Sequence, residues 1–331
     1  MTLVRRLLFH CALAWFTGGA AADLDSYRSG MESFAADLAG RQVMDPAHLR
    51  SLLDQAHYQQ PVIDAMTRPY EGLAWRDYRP LFLTSERLDA GAVFWSANAE
   101  TLAQAESVYG VPPEIIVAII GIETNYGRFT GSYGVLDALT TLAFAYPPRA
   151  AFFRGELEAF LLLCREEGID AVAARGSYAG AMGKPQFIPS SYRHYAVDFD
   201  HDGRRDLWHS DADVIGSVAS YLRANGWRPG EGIACRATPA ADIPATIQVA
   251  TKDPLAPDHT TDELARAGIA CAAPPTPAAP ATLIRLDGQT DEYWIGRDNF
   301  FALTRYNRSN LYAMAVYQSS ESLRARHAGG H

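Results

Sequence analysis

The sequence predicts a mainly α protein of the α+β class: a helical body interrupted by one small β-containing segment. Three observations predict it. Apolar residues recur at intervals of three and four along most of the chain, the spacing of amphipathic helices. From Arg236 to Val249 and from Cys271 to Pro280 the composition turns to Ala, Pro and Thr. Thr282–Leu286 and Glu292–Ile295 then alternate around Asp287-Gly288, a hairpin signal. At 331 residues the chain can bury a large core in one big or two unequal domains. Its 48% hydrophobic and 20% charged residues are those of an ordinary folded protein. A net charge of −9, with no basic cluster, argues against nucleic acid or an anionic membrane surface as the main partner.

Residues 1–22 read as a secretory signal. Arg5 and Arg6 precede the apolar run Leu7–Phe16, and Ala20-Ala21-Ala22 offers a small-residue cleavage site before Asp23. The apolar run is too short for a membrane anchor. Cys11 follows Phe9 and His10, where a lipid-anchored signal wants small residues, so a soluble exported protein is expected. Export leaves Cys164, Cys235 and Cys271, an odd count that predicts one pair and one buried thiol in an oxidising compartment. Cys164, inside the apolar run LEAFLLLC, reads as core; Cys235 and Cys271 read as either a pair or two free thiols. No CxxC spacing supports a zinc site.

The helices follow in order. Leu24, Tyr27, Met31, Phe34 and Leu38 form one stripe, and Asp45-Pro46 reads as N-cap and first residue of the next helix. Thr84 caps a long helix to Tyr109, closed by Gly110. The stretch VPPEIIVAIIGIETNYG, Val111–Gly127, opens on two prolines and is apolar on every side from Ile115 to Ile122, hence a buried helix. Pro147-Pro148 breaks the chain before a helix from Arg149 to Glu167, and Ser190 or Ser191 caps a short one. Val214–Asn225 is helical up to Gly226. The β-containing segment spans 231–299, with one short helix at Thr261–Ala267, and Phe300–Ser320 returns to helical periodicity. Residues 321–331, ending in ARHAGGH, read as a mobile tail.

Four stretches carry chemistry. Glu123 ends the apolar helix, and Glu114, nine residues earlier, falls on the opposite helix face and cannot pair with it. Apolar surroundings and the negative end of the helix dipole both favour a protonated carboxyl, suited to a general acid. A surface glutamate in the last turn is the plain alternative. Arg175–Tyr192, RGSYAGAMGKPQFIPSSY, sets Ser177, Tyr178 and Gln186 among small residues, which reads as a sugar-binding wall or a tight structural loop. Asp198, Asp200 and Asp202 with Gly203 and Asp206 hold positions one, three, five, six and nine of an EF-hand-like loop, 198–213. Arg204 contributes only its carbonyl, His209 stands where a bidentate acid is expected, and Asp211 or Asp213 closes a lengthened loop. Calcium is the expected ion; the alternative is an acidic solvated turn. Tyr306, Asn307 and Tyr312 offer rings and an amide for a sugar, or plain packing. His194, His201 and His209 form no zinc signature and read as surface residues.

In order along the chain, GIETNYG, GSYAGAMGKPQFIPSSY, DFDHDGRRDLW, SVASYLRANGW and RYNRSNLYAMAVYQ resemble the lytic murein transglycosylase B family. The resemblance implies an elongated mainly α (α+β) protein with a lysozyme-like helical core at 111–230. An α domain at 23–110 is completed by the returning helix 300–320, and a small β domain at 231–299 is inserted. It implies cleavage of the MurNAc–GlcNAc β-1,4 bond of peptidoglycan without water, leaving 1,6-anhydromuramyl ends. Glu123 then matches the single catalytic acid/base, and Ser177, Gln186, Tyr221, Tyr306, Asn307 and Tyr312 match sugar contacts. Arg149 matches one of two adjacent arginines, the other being Pro148 here, and Lys184-Pro185 also departs from the usual pair. Calcium falls to Asp198, Asp200, Asp202, the Arg204 carbonyl and Asp213, with no organic cofactor. The expected setting is a periplasmic monomer acting on glycan strands beside cell-wall synthesis proteins, without nucleic acid or a membrane anchor. Two other readings use the same residues: a lysozyme-like hydrolase that employs water, and a non-catalytic peptidoglycan-binding protein.

Overall fold

A computed structural model describes residues 24–67, 73–240, 242–271 and 278–329; the expected signal at 1–22, with Cys11, lies outside them. Helix α1 (Leu24–Gly40) buries Tyr27, Phe34 and Leu38 of the stripe and leaves Leu24 exposed. Asp45 caps α2 (Pro46–Leu53), its carboxylate accepting the His48 N–H at 2.8 Å. After α3 (Gln60–Thr67) and the short α4 (Trp75–Tyr78), Thr84 caps α5 (Ser85–Ala97). The helix expected to reach Tyr109 breaks at Asn98, and a separate α6 (Ala99–Tyr109) follows. The reason is local: the Asn98 side chain donates to Phe94 O at 2.9 Å, competing with the helical ladder.

Helix α7 (Pro113–Thr124) buries every residue from Ile115 onward. Strand β1 (Tyr133–Gly134), α8 (Val135–Ala145), α9 (Ala150–Glu167), β2 (Arg175–Gly176) and α10 (Pro189–Tyr195) come next. Neither Ser190 nor Ser191 caps α10, which begins after Ile188. Instead the Ser190 N–H and O–H both donate to the buried carboxylate of Glu156 on α9, at 2.9 and 2.7 Å. Then follow α11 (Asp211–Ala224), β3 (Ala234–Pro239), β4 (Val249–Ala250), β5 (His259–Thr260), α12 (Thr261–Arg266) and β6 (Ile269–Cys271). The hairpin signal is β7 (Pro280–Asp287) with β8 (Asp291–Gly296), and α13 (Asp298–Tyr306) and α14 (Asn310–Gly329) end the described chain.

The described residues pack as two units, 73–126 with 211–329 and 24–67 with 127–210, so the segment expected as one α domain at 23–110 contributes to both. In the first, α7 packs against α5, α6, α11 and α14. Its sheet runs β4-β7-β8-β3-β6, with β5 added beside β7; only β4 lies parallel to its neighbour. Leu264, Ile269, Leu283 and Ile295 form the sheet's own core, and Cys235 on β3 is disulfide-bonded to Cys271 on β6, while Cys164 is a buried free thiol. The tail expected from residue 321 is helical as far as Gly329. Buried Leu323, the stacking of His327 on Trp95 at 4.3 Å and an Arg326–Asp89 ion pair hold it to α5. In the second unit, α1 and α3 lie on α8, α8 on α9, and α10 on α9.

Gly91 on α5 and Gly121 on α7 together make the slot for the Tyr126 hydroxyl: a Cβ on either would stand 2.3 Å from that oxygen. Gly121→Ala should therefore cost about 1–3 kcal/mol, the usual range for overpacking. Gly155→Ala, on open helical surface with nothing within 4 Å of the new carbon, should be neutral or stabilising. Urea midpoints of the two variants check this; equal midpoints would contradict the slot.

Candidate active site

The end of α7 is fixed by an unusual backbone. Asn125 turns left-handed (φ 50°) and caps the helix through its N–H to Gly121 O at 3.0 Å. Tyr126 is also left-handed (φ 59°), a strained conformation for a bulky residue. Its ring stacks on Phe94 at 5.4 Å and its hydroxyl fills the glycine slot, which holds the strain in place. Glu123 precedes this turn and is 5% exposed.

Glu123 Oε1 accepts a hydrogen bond from the Tyr312 hydroxyl at 2.7 Å. Burial pushes the carboxyl up to about 8, and the Tyr312 bond acts in the opposite direction. No acidic neighbour among the described residues adds to this shift. Tyr312, raised well above its ordinary range by its own burial and by the Glu123 charge, remains a donor. Its place is set by the first turn of α14, where Ser309 Oγ accepts the Tyr312 N–H at 3.3 Å. Asn310 ties the same turn to the β-containing segment, donating to Thr251 O at 2.8 Å and Asp253 O at 3.0 Å.

Around this pair the tyrosines form a wall. Tyr306 lies nearly parallel to Tyr312 at 6.3 Å, and Tyr221 meets Tyr306 edge-on at 4.8 Å, with its hydroxyl on Arg305 O at 2.5 Å. Asn307 ends α13 in extended conformation, its Oδ1 buried and without a donor. A fourth ring, the buried Tyr78, joins them; burial and the Glu123 charge push its hydroxyl up. Sequence reasoning missed Tyr78, although the spacing of Trp75, Tyr78 and Phe82 marks one aromatic helical face.

The other residues matched to sugar contacts belong to the 24–67/127–210 unit. Ser177 Oγ accepts the N–H groups of Ala179 and Ala181 at 3.2 and 3.0 Å, leaving its O–H to donate. Gln186 is left-handed (φ 54°), and its amide nitrogen donates to Gly183 O at 2.9 Å and Thr130 O at 3.0 Å, so the side chain braces the glycine-rich loop. Arg149 lies over Phe152 at 4.2 Å and Phe153 at 5.1 Å, with Nη1 buried and no acceptor on it. Glu156 is another buried carboxyl; burial pushes it up, but both oxygens serve Ser190 at the start of α10.

The carboxylates of Asp198, Asp200 and Asp202 each offer an oxygen within 4.8 Å of the others, a group able to hold a metal ion. Their loop is already folded: Asp198 accepts the N–H groups of Asp202 and Gly203 at 3.0 and 2.9 Å, and Asp202 accepts that of Arg204 at 2.9 Å. Arg205, paired with Glu167 and, at 3.8 Å, with Glu166, anchors it to α9, and Arg193 on the neighbouring α10 pairs with Glu166 at 2.7 Å. Lys184 N–H to Leu207 O at 2.8 Å links it to the glycine-rich loop. Asp213 is buried on the first turn of α11, in the other unit.

Glu123 also gives the fold a pH dependence. Below about pH 4.5 the carboxyl is protonated in both folded and unfolded chains. Between about 4.5 and about 8 the unfolded chain ionises while the buried group resists, so stability falls as pH rises through that window. Glu123→Gln removes this ionisation cost and should be more stable than wild type at pH 7.5 by about 1–3 kcal/mol, the gap closing near pH 4. Denaturant midpoints at the two pH values check it; a gap independent of pH would contradict it.

A family model described as a transglycosylase SLT domain matches residues 26–321. The curated membrane-bound lytic murein transglycosylase B of Escherichia coli is 42% identical over 88% of this chain and 82% of its own length. Soluble lytic transglycosylase SltB1 of Pseudomonas aeruginosa is 45% identical, with a TM-score of 0.83 over 90% of this chain and 99% of that one. The Escherichia coli lytic transglycosylase Slt35, solved in complex with calcium, is 41% identical, with a TM-score of 0.81 over 90% of this chain and 94% of that one. The fold is thus the mainly α, lysozyme-like one, and the chain belongs to the lytic murein transglycosylase B family as a peptidoglycan lytic transglycosylase.

Proposed function

We propose that Glu123 is the single general acid/base of a water-free cleavage of the MurNAc–GlcNAc β-1,4 bond. The observation that carries this reading is one carboxyl, buried, held by Tyr312 and pushed by burial, against the lowering effect of that hydrogen bond, up to about 8, so that it enters the reaction protonated at neutral pH. Glycosidases that employ water or a covalent intermediate pair two carboxyl groups across the bond. Among the described residues no second carboxyl adds to the shift of Glu123.

The steps balance without water. Glu123 gives its proton to the bridging oxygen as the bond from the muramyl C1 to that oxygen breaks. The carboxylate so formed keeps the Tyr312 hydrogen bond, which stabilises the charge where it develops. Glu123 then takes the proton of the same sugar's C6 hydroxyl as that oxygen bonds to C1, closing a 1,6-anhydro ring. Because the nucleophile is tethered to the reacting carbon, high effective molarity replaces a positioned water.

Tyr306, Tyr221 and Tyr312 supply ring faces for sugars, and the unpartnered Asn307 Oδ1 suits a hydroxyl or acetamido N–H. The Ser177 hydroxyl donates to the substrate, Arg149 meets the glycan or its peptide, and Gln186 shapes the wall it shares with Ser177. Asp198, Asp200, Asp202 and the Arg204 carbonyl would hold a structural Ca2+, whose charge would offset the repulsion within the loop. The protein is exported to the periplasm by its first 22 residues; the Cys235–Cys271 disulfide agrees with an oxidising compartment. Among the described residues no single helix is long and apolar enough to cross a membrane.

Glu123→Gln should lower turnover on purified sacculi by about 10²–10⁴-fold, the usual worth of a general acid. Chromatography with mass detection of anhydromuropeptides checks it; undiminished release would contradict the assignment. Wild-type activity should fall as pH rises through about 8, and Tyr312→Phe, by removing the bond that lowers the Glu123 value, should move that limb to higher pH. An unmoved limb would contradict the role of Tyr312. Millimolar calcium should raise the melting temperature by about 3–6 °C, an effect lost in Asp200→Asn; a melting temperature indifferent to calcium would contradict the metal reading.

A further inference from the structure

The segment between α2 and α3 runs past the start of α8 and closes a pocket of about 410 Å³ within the 24–67/127–210 unit. Gln55, His57 and Gln59 line one side, Tyr133, Asp137 and Arg175 the other. None of the residues assigned above to catalysis, sugar contact or metal binding takes part. Its volume lies in the range of small-ligand sites.

The lining carries one carboxylate, Asp137, and one guanidinium, Arg175. Asp137 brings a negative charge, but that carboxylate is already met: Oδ1 accepts the His57 N–H at 2.8 Å and Oδ2 the Gln59 amide at 3.2 Å. It also lies in the first turn of α8, where a carboxylate is favoured by the helix dipole. Arg175 is different. Its Nη1 donates to the carbonyls of Val172, Ala173 and Ala174 at 2.8, 2.9 and 3.2 Å, and it makes no ion pair among the described residues. A guanidinium immobilised in this way loses little further entropy on binding, and its remaining N–H groups form a rigid fork suited to a carboxylate. The amide nitrogens of Gln55 and Gln59 are engaged, with Ser51 O at 2.9 Å and with Asp137, which leaves their carbonyl oxygens to accept from a ligand's N–H groups. A fixed cation beside amide acceptors matches a short peptide with a free carboxylate better than it matches a neutral sugar.

We infer that this pocket receives a carboxylate-bearing part of the peptide attached to the muramyl residue, so that the enzyme favours peptide-substituted over naked glycan. The inference rests on the peptidoglycan reading above. Strand β2 supports it: Arg175 is two residues of chain, about 7 Å when extended, from Ser177, the donor already assigned to the glycan.

The test compares peptide-bearing glycan strands with the same strands stripped of peptide by an amidase, using wild type, Arg175→Gln and Ser132→Trp. Ser132 also lines the pocket, and a tryptophan there fills it without removing a contact of Arg175. Both variants should raise KM on peptide-bearing strands about tenfold, in line with loss of a charge-assisted hydrogen bond, with kcat and the naked-strand KM unchanged. Unchanged KM on both substrates in Ser132→Trp, or an equal rise on both, overturns the pocket's role. Where Arg175→Gln loses activity on naked strands as well, Ser132→Trp alone decides. If wild type released no anhydro products from either substrate, the catalytic reading itself would fail.

Discussion

A carboxyl group buried among isoleucine and tyrosine side chains, with no cation against it, is held neutral far above the ordinary carboxyl range. Among the described residues Glu123 is such a group, and much of its unit serves that condition. Helix α7 must be apolar on all sides to carry the group inward, so α5, α6, α11 and α14 enclose it. The helix must also stop one residue past Glu123, and two left-handed residues achieve that, with Gly91 and Gly121 yielding space to Tyr126. Tyr312, from 189 residues away in sequence, supplies a hydrogen bond that favours the ionised form. Burial alone would make Glu123 a willing acid and a poor conjugate base at rest; the tyrosine tempers this. The cost in stability at neutral pH is the kind commonly met where an active site demands a buried ionisable group.

Much of the site was legible in the sequence because its signals are local. Two prolines, an unbroken apolar run and one carboxylate at its end announce α7 and Glu123 without any tertiary knowledge. The alternating aspartates and Gly203 announce a cation loop in the same way. What stayed illegible depended on partners distant in the chain. Nothing in RYNRSNLYAMAVYQ says that the Tyr312 hydroxyl meets a carboxyl on α7, and Tyr78 carries no local mark of its place near Glu123. The break at Asn98 turned on a side chain competing for one carbonyl, and Ser190, expected as a cap, is itself held by Glu156 from another helix. The last helix reaches Gly329 because α5 offers it Trp95 and Asp89, which no reading of ARHAGGH alone supplies.

In the other unit, hydrogen bonding rather than burial does the positioning. Gln186 and Ser177 spend polar atoms on the loop that carries them, and the acidic loop is tied to α9 by Arg205, which pairs with Glu166 and Glu167. Arg175 belongs to the same pattern: three carbonyls fix it before any ligand arrives. A site for a long, flexible polymer gains from such rigidity, since the ordering entropy then falls mainly on the substrate.

The claim at the centre of this account is that one carboxyl group completes both proton transfers while water stays out of the bond-making step. Digestion of sacculi in H2(18)O tests it most directly, with mass spectrometry of the released muropeptides. The account predicts products 18 mass units lighter than the reducing sugar and free of heavy oxygen at C1. Incorporation of (18)O at the muramyl C1 would show that water, not the C6 hydroxyl, is the nucleophile, and would contradict it.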